Sequence, residues 1–299
     1  MKNYKGILFI ILAGFSFSMM NMFVRLSGDL PFYQKAFFRN FIAFLVSSVM
    51  MTIDFTKGKK YSIKKPMIKY LFMRAFFGTI ALVCNFYAVD NLVISDASML
   101  NKMSPFFAII GCYFIMKEKL SLFQGIIVVT AFIGSLFIIK PSFMNMSLFP
   151  ALIGFLSGIG AGLAYAMVRK LGSMGLKGTA VVFSFSAFST ITLLPVVIAT
   201  YQPMSLYQLS MLLLAGLSAT MGQFSITAAY YHAPAKELSV YEYSQVVFSA
   251  LLGFIAFSQI PDIYSVFGYI IIISAGVVMF MKTNNLFFFK NKTESEQLK

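Results

Sequence analysis

The sequence predicts an all-α integral membrane protein of ten transmembrane helices, built as two inverted five-helix repeats. Three observations carry that expectation. Of the 299 residues, 59% are hydrophobic and 11% charged, with a mean hydropathy of +0.81, whereas a soluble domain carries roughly a quarter charged residues. The apolar residues run together in unalternating stretches of about 20, the length a helix needs to cross ~30 Å of hydrocarbon, and not in the ~10-residue alternating segments of a membrane barrel. The chain also resembles itself at a fixed separation, in two copies that each hold an odd number of spans.

Taken in order, residues 6–27 have the basic start and apolar core of a signal peptide, but nine further apolar segments follow, so this is an uncleaved first span. The second span (31–54), the third (66–89) and the tenth (262–281) begin at or just after Pro31, Pro66 and Pro261, where the missing N–H has no intrahelical acceptor to lose. The fourth (94–116) carries Asn101, Lys102 and Ser104-Pro105 in its middle. The fifth covers 121–139. The sixth (149–168) places Gly154, Gly158 and Gly162 at four-residue spacing, a stripe along which another helix can approach closely. Spans seven to nine are 178–199, 206–231 and 237–258. Residues 1–140 form the first repeat and 149–281 the second, and 282–299 are a polar cytoplasmic tail.

Orientation follows from the basic residues. With the N-terminus inside, 18 of the Lys and Arg residues fall on its face, against Arg25, Lys35 and Lys140 opposite, so both termini are expected in the cytoplasm of a multi-pass cell-membrane protein. That placement accounts for the net charge of +14 without a nucleic-acid partner. Cys84 and Cys112 lie inside spans and read as small apolar fillers.

Sliding Gly14–Phe44 by 144 positions brings eight identities into register, among them Gly14/Gly158, Arg25/Arg169 and Phe41/Phe185, where composition predicts about two. Further on, a separation of 141 matches Ala88/Ala229, Ser98/Ser239 and Phe107/Phe248. Five spans per copy make the second enter from the opposite side. Such inverted halves can exchange conformations and expose one central site to each face in turn.

Arg74, Phe86-Tyr87-Ala88, Ser95-Asp96-Ala97-Ser98, Ser104-Pro105-Phe106 and Lys117-Glu118-Lys119-Leu120-Ser121, together with Arg39 in the second span, resemble the pattern of the drug/metabolite transporter superfamily in its EamA-type branch. The second repeat departs from it, with Val246 in place of a proline and Gln259 in place of the glutamate. The resemblance implies a ten-helix basket with a central cavity for small polar metabolites and with the fifth and tenth spans at its periphery.

Ionisable groups inside a bilayer are costly and mark function or partnership. Arg39 and Arg74 lie eight residues inside their spans, ~12 Å deep, and with Glu118 are expected to be structural charges that reach helix ends or loops. Asp96 and Glu237 fall in first turns, where an acid complements the helix dipole. Lys102 and Glu242 differ. Asn101 matches Glu242 and Lys102 matches Tyr243 across the repeat, so a central site is expected in which Lys102 and Glu242 approach each other. Asn21, Asn85, Tyr87, Tyr165, Gln223, Tyr241, Tyr243 and Gln245 are candidate lining for it.

One histidine and no HExxH, GxSxG, paired-aspartate or Walker motif leave no basis for an enzyme, a metal site, a cofactor or direct ATP coupling. The expectation is a secondary transporter, monomeric or homodimeric, moving an amino acid or related zwitterion outward, with a proton as possible coupling ion. Movement of a cationic metabolite such as a sulfonium nucleoside or a choline-like amine is the alternative, and a receptor or scaffold a distant one.

Overall fold

The computed structural model describes residues 4–58, 61–92, 94–139, 148–258 and 261–283. Lys59, Lys60, Lys140, Gln259 and the tail from 284 lie outside the described residues, as does the side chain of Asp96. The helices are α1 (Tyr4–Leu26), α2 (Phe32–Thr56), α3 (Lys65–Asn91), α4 (Ile94–Asn101), α5 (Ser104–Met116), α6 (Leu122–Ile139), α7 (Leu148–Ser173), α8 (Gly178–Ala199), α9 (Leu206–His232), α10 (Ala235–Leu238), α11 (Ser244–Phe257) and α12 (Ile263–Thr283). A 3-10 turn, Tyr241–Tyr243, precedes α11. Among the described residues there is no strand, and nine helices are long and apolar enough to span a membrane, with Tyr241–Phe257 as a shorter tenth.

The fourth and ninth crossings are broken, and for different reasons. Pro105 has no N–H to offer the Asn101 carbonyl, so α4 stops at Asn101 and α5 restarts at Ser104. The ninth crossing, expected to be continuous, has no proline at that point. Its break is held by side chains: Ser239 Oγ donates to the Pro105 carbonyl at 3.3 Å, the Tyr243 hydroxyl to the Lys102 carbonyl at 3.3 Å and the Tyr241 hydroxyl to the Gly276 carbonyl of α12 at 3.1 Å. The two breaks therefore touch, and hydroxyls of the second bond backbone carbonyls of the first.

The repeat is visible in the element bounds. α3 and α9 begin at 65 and 206, α6 and α12 at 122 and 263, and the left-handed caps that end α5 and α11 fall at Lys117 (φ 59°) and Ser258 (φ 53°). All three separations are 141. The halves interlock crosswise: α1 packs on α9 and α11, α7 on α3 and α5, while α2 meets α8 and α6 meets α12. Large apolar side chains such as Phe72, Phe114, Ile255 and Phe267 are exposed around the outside, where a bilayer gives them an apolar solvent.

The glycine stripe of α7 seats the first break. A Cβ on Gly158 would stand 2.6 Å from the Leu100 carbonyl oxygen, immediately before Asn101 and Lys102. Gly158→Ala is therefore expected to push α4 outward and cost about 1–3 kcal/mol, as overpacking does. Its melting temperature in detergent should fall by several degrees, and an unchanged value would show that the contact gives way freely.

Candidate functional site

Between the halves lies a cavity of about 580 Å³. Its mouth is formed where α1 turns into α2 (Gly28, Asp29), by Asp90 near the end of α3 and by Phe257 at the end of α11. Those ends share one face, opposite the face that carries the start of α1 and the end of α12. Lys35 stands at the mouth within electrostatic reach of Asp29 and Asp90, and Asp90 accepts the backbone N–H of Phe32 in the first turn of α2.

Deeper in, the wall becomes strongly polar. Lys102, in the turn between α4 and α5, donates to Gln245 Oε1 of α11 at 2.6 Å. The adjoining Asn101 donates through Nδ2 to Ser157 Oγ of α7 at 3.2 Å. Arg74 of α3 donates to Gln223 Oε1 of α9 at 3.0 Å and lies over the Phe185 ring of α8 at 4.1 Å. Arg39 of α2 donates to Asn40 Oδ1 at 3.0 Å and to Met20 Sδ at 3.1 Å, with the Phe17 ring 5.9 Å away. Both guanidinium groups are buried, 7% and 2% exposed, and both fall within electrostatic reach of Tyr165.

Of the residues that the sequence nominates, Lys102, Asn101, Gln245, Asn85, Gln223, Asn21 and Tyr165 lie on the cavity wall. The other four do not. Tyr87 sits edge-on between the rings of Phe32 and Phe149, and the hydroxyls of Tyr241 and Tyr243 are taken by the carbonyls named above. Glu242 lies behind the wall, 8% exposed, and accepts the Tyr230 hydroxyl at 2.5 Å. Lys102 and Glu242, expected to approach as a pair, make no ion pair; each bonds a neutral group instead. Depth along the membrane normal brought them close, but their separation within its plane was not in the sequence.

Arg39 and Arg74 also require correction. They neither snorkel nor bond helix ends; they line the cavity. Glu118, by contrast, braces the far face. Arg169 Nε donates to Glu118 Oε1 at 2.9 Å, and Arg169 Nη1 to the Tyr230 carbonyl at 3.1 Å and the Tyr231 carbonyl at 3.4 Å. One guanidinium thus ties together the ends of α5, α7 and α9 where the cavity is closed. The Arg25/Arg169 identity across the repeat was the signal for Arg169; Tyr230 left none.

A ten-span bundle of interlocked inverted repeats around a central cavity is the architecture of a membrane transporter. The model of the EamA-like transporter family matches residues 4–140, and a pseudopaline exporter of Pseudomonas aeruginosa is 30% identical over 92% of this chain and 95% of its own. The chain belongs to the EamA-like transporter family, within the drug/metabolite transporter superfamily. A riboflavin transporter of Vibrio cholerae is 25% identical over 86% of each chain, and an S-adenosylmethionine uptake transporter of Rickettsia felis 24% identical over 81% of each. A solved crystal structure shares the fold, with a TM-score of 0.76 at 14% identity over 94% of this chain and 99% of that one. These three named relatives are transporters of small molecules.

Proposed function

We propose that this chain is a secondary carrier that exports an amino acid or a related zwitterion across the cell membrane, with both termini in the cytoplasm. The observation that supports this most is Lys102, an ammonium group in mid-membrane, on a cavity wall, whose side chain has one hydrogen-bond partner among the described residues, the neutral Gln245. A carboxylate is the group that such a lysine lacks. The cargo's own ammonium finds an acceptor in Asn101, whose Nδ2 is already given to Ser157, and a cation-binding face in the Tyr165 ring. A cationic cargo would instead meet Arg39, Arg74 and Lys102 together on the same wall, and like charges disfavour it.

Export is the direction named for the 30% identical relative. With the basic face inward, the mouth opens outward and the Glu118–Arg169 side is the closed cytoplasmic gate. We assign a coupling proton to Glu242, the buried carboxyl next to the cargo site but outside it. In reconstituted vesicles, counterflow of a radiolabelled amino-acid pool should fall at least 100-fold on Lys102→Met with folding retained. Full counterflow in that variant would reduce Lys102 to a structural group.

A further inference from the structure

We infer that the cavity holds two anionic groups of one cargo at separate places, so that its substrate is an amino-acid derivative with two or more carboxylates and not a simple monocarboxylate. This rests on the carrier reading above and narrows its substrate class. It starts from a charge imbalance. Lys102, Arg39 and Arg74 all line the cavity, and among the described residues every hydrogen-bond acceptor of their side chains is neutral: an amide oxygen for Lys102, an amide oxygen and a thioether for Arg39, an amide oxygen for Arg74. Glu242 is within electrostatic reach of Lys102 but makes no ion pair with it and bonds Tyr230. The carboxylates that line the cavity, Asp29 and Asp90, are at the mouth beside Lys35.

Buried cations without counter-ions are unfavourable unless a ligand supplies the charge. Arg74 adds a specific vacancy: it is 2% exposed and its buried Nε has no hydrogen-bond partner. An unpaired N–H of that kind is costly to leave, and the guanidinium edge of Nε and Nη2 is the fork that takes both oxygens of a carboxylate, which here would share Nη2 with Gln223 Oε1. Arg39 lies within electrostatic reach of Arg74, so one anion at this pair relieves both charges.

The second place is distinct in its construction. The arginine pair belongs to α2 and α3 and is backed by Gln223 of α9 and Phe185 of α8. Lys102 belongs to the α4–α5 turn and is backed by Gln245 of α11. Each place is built on its own helices. An ammonium takes one oxygen as a point charge, whereas the guanidinium fork selects a planar pair. A cavity of about 580 Å³ is large for leucine or glutamate and leaves room for a longer molecule carrying both groups. Guanidinium forks also accept phosphate, so the shared chemistry is two oxyanions, and the experiment separates the two forms.

The test is binding to the purified, detergent-solubilised full chain, by thermal stabilisation and calorimetry, of L-leucine, L-glutamate, N-succinyl-L-glutamate, O-phospho-L-serine and choline. The inference expects the di- and tricarboxylates to bind at least tenfold more tightly than leucine in the unmodified protein, a comparison that needs no variant to fold. Arg74→Gln should bring that ratio close to one, and Lys102→Met should weaken the carboxylates at least tenfold. Tighter binding of O-phosphoserine than of glutamate supports two oxyanion places with phosphate at the second. Leucine binding as tightly as glutamate, or no stabilisation by either polycarboxylate at millimolar concentration, overturns the second place while the zwitterion carrier stands. Choline binding most tightly overturns both.

Discussion

Glu242→Gln carriers are expected to equilibrate cargo across a membrane but no longer to accumulate it against a pH gradient. Glu242 sits in the 3-10 turn of the ninth crossing, buried and bonded to Tyr230. Its counterpart 141 positions earlier is Asn101, and that of Tyr230 is Val89; both line the open cavity. If the inverted halves exchange conformations, the second break moves to the place now held by the first. Glu242 then joins the cavity wall when the opposite face opens. Proton coupling requires a carboxyl that exchanges its proton with each face in turn and never with both at once. The exchange gives Glu242 the opposite face, and in the present state it lies just behind the wall of the open cavity, within electrostatic reach of Lys102. One proton moving down one pH unit supplies about 1.4 kcal/mol, a tenfold concentration ratio. In proteoliposomes with such a gradient the unmodified carrier should build a ratio near ten, and Glu242→Gln a ratio near one with exchange retained. Full accumulation by Glu242→Gln would remove it from the coupling path.

The spans were legible because crossing hydrocarbon imposes a length and a composition that Tyr4–Leu26 or Gly178–Ala199 cannot disguise. The break at Ser104-Pro105 was legible because proline removes a donor. The break before Ser244 was not, since it depends on hydroxyl bonds from Ser239, Tyr241 and Tyr243 to carbonyls of α5, the α4–α5 turn and α12. The cavity wall was half legible for a related reason. Polar residues such as Asn85 and Gln223 stand out in an apolar helix, but the direction each one faces depends on which neighbour its helix meets. In helices apolar on every side, periodicity gives no face to read. That is why Arg39 and Arg74 read as snorkelling charges from depth alone, and why Tyr87 read as lining although it packs between Phe32 and Phe149.

Breaking the Glu118–Arg169 pair is expected to shift the carrier toward the conformation open on the face where α1 starts and α12 ends. Both side chains are mostly shielded, at 20% and 15% exposure, and Arg169 also holds the last carbonyls of α9, where a cation complements the helix dipole. Charge-assisted hydrogen bonds of this kind contribute about 1.5–3 kcal/mol. Losing one moves a two-state equilibrium about tenfold or more. The repeat makes the effect one-sided. Arg25, the counterpart of Arg169, lies over the Phe257 ring at 4.3 Å, and the position matching Glu118 is an amide, Gln259. The carboxylate of the Glu118–Arg169 latch thus has no sequence counterpart in the second repeat, and the latch biases the resting carrier toward the state seen here. Ser239 supplies the reporter: it is fully buried, while its counterpart Ser98 lines the open cavity, so it should become accessible when the halves exchange. A cysteine in place of Ser239 should react with a small maleimide about tenfold faster when Glu118→Gln is added. The charge swap Glu118→Arg with Arg169→Glu should slow it again. Equal labelling rates with and without Glu118→Gln would mean that the pair only braces a loop and that the closed face is held by the packing of α5, α7 and α9 alone.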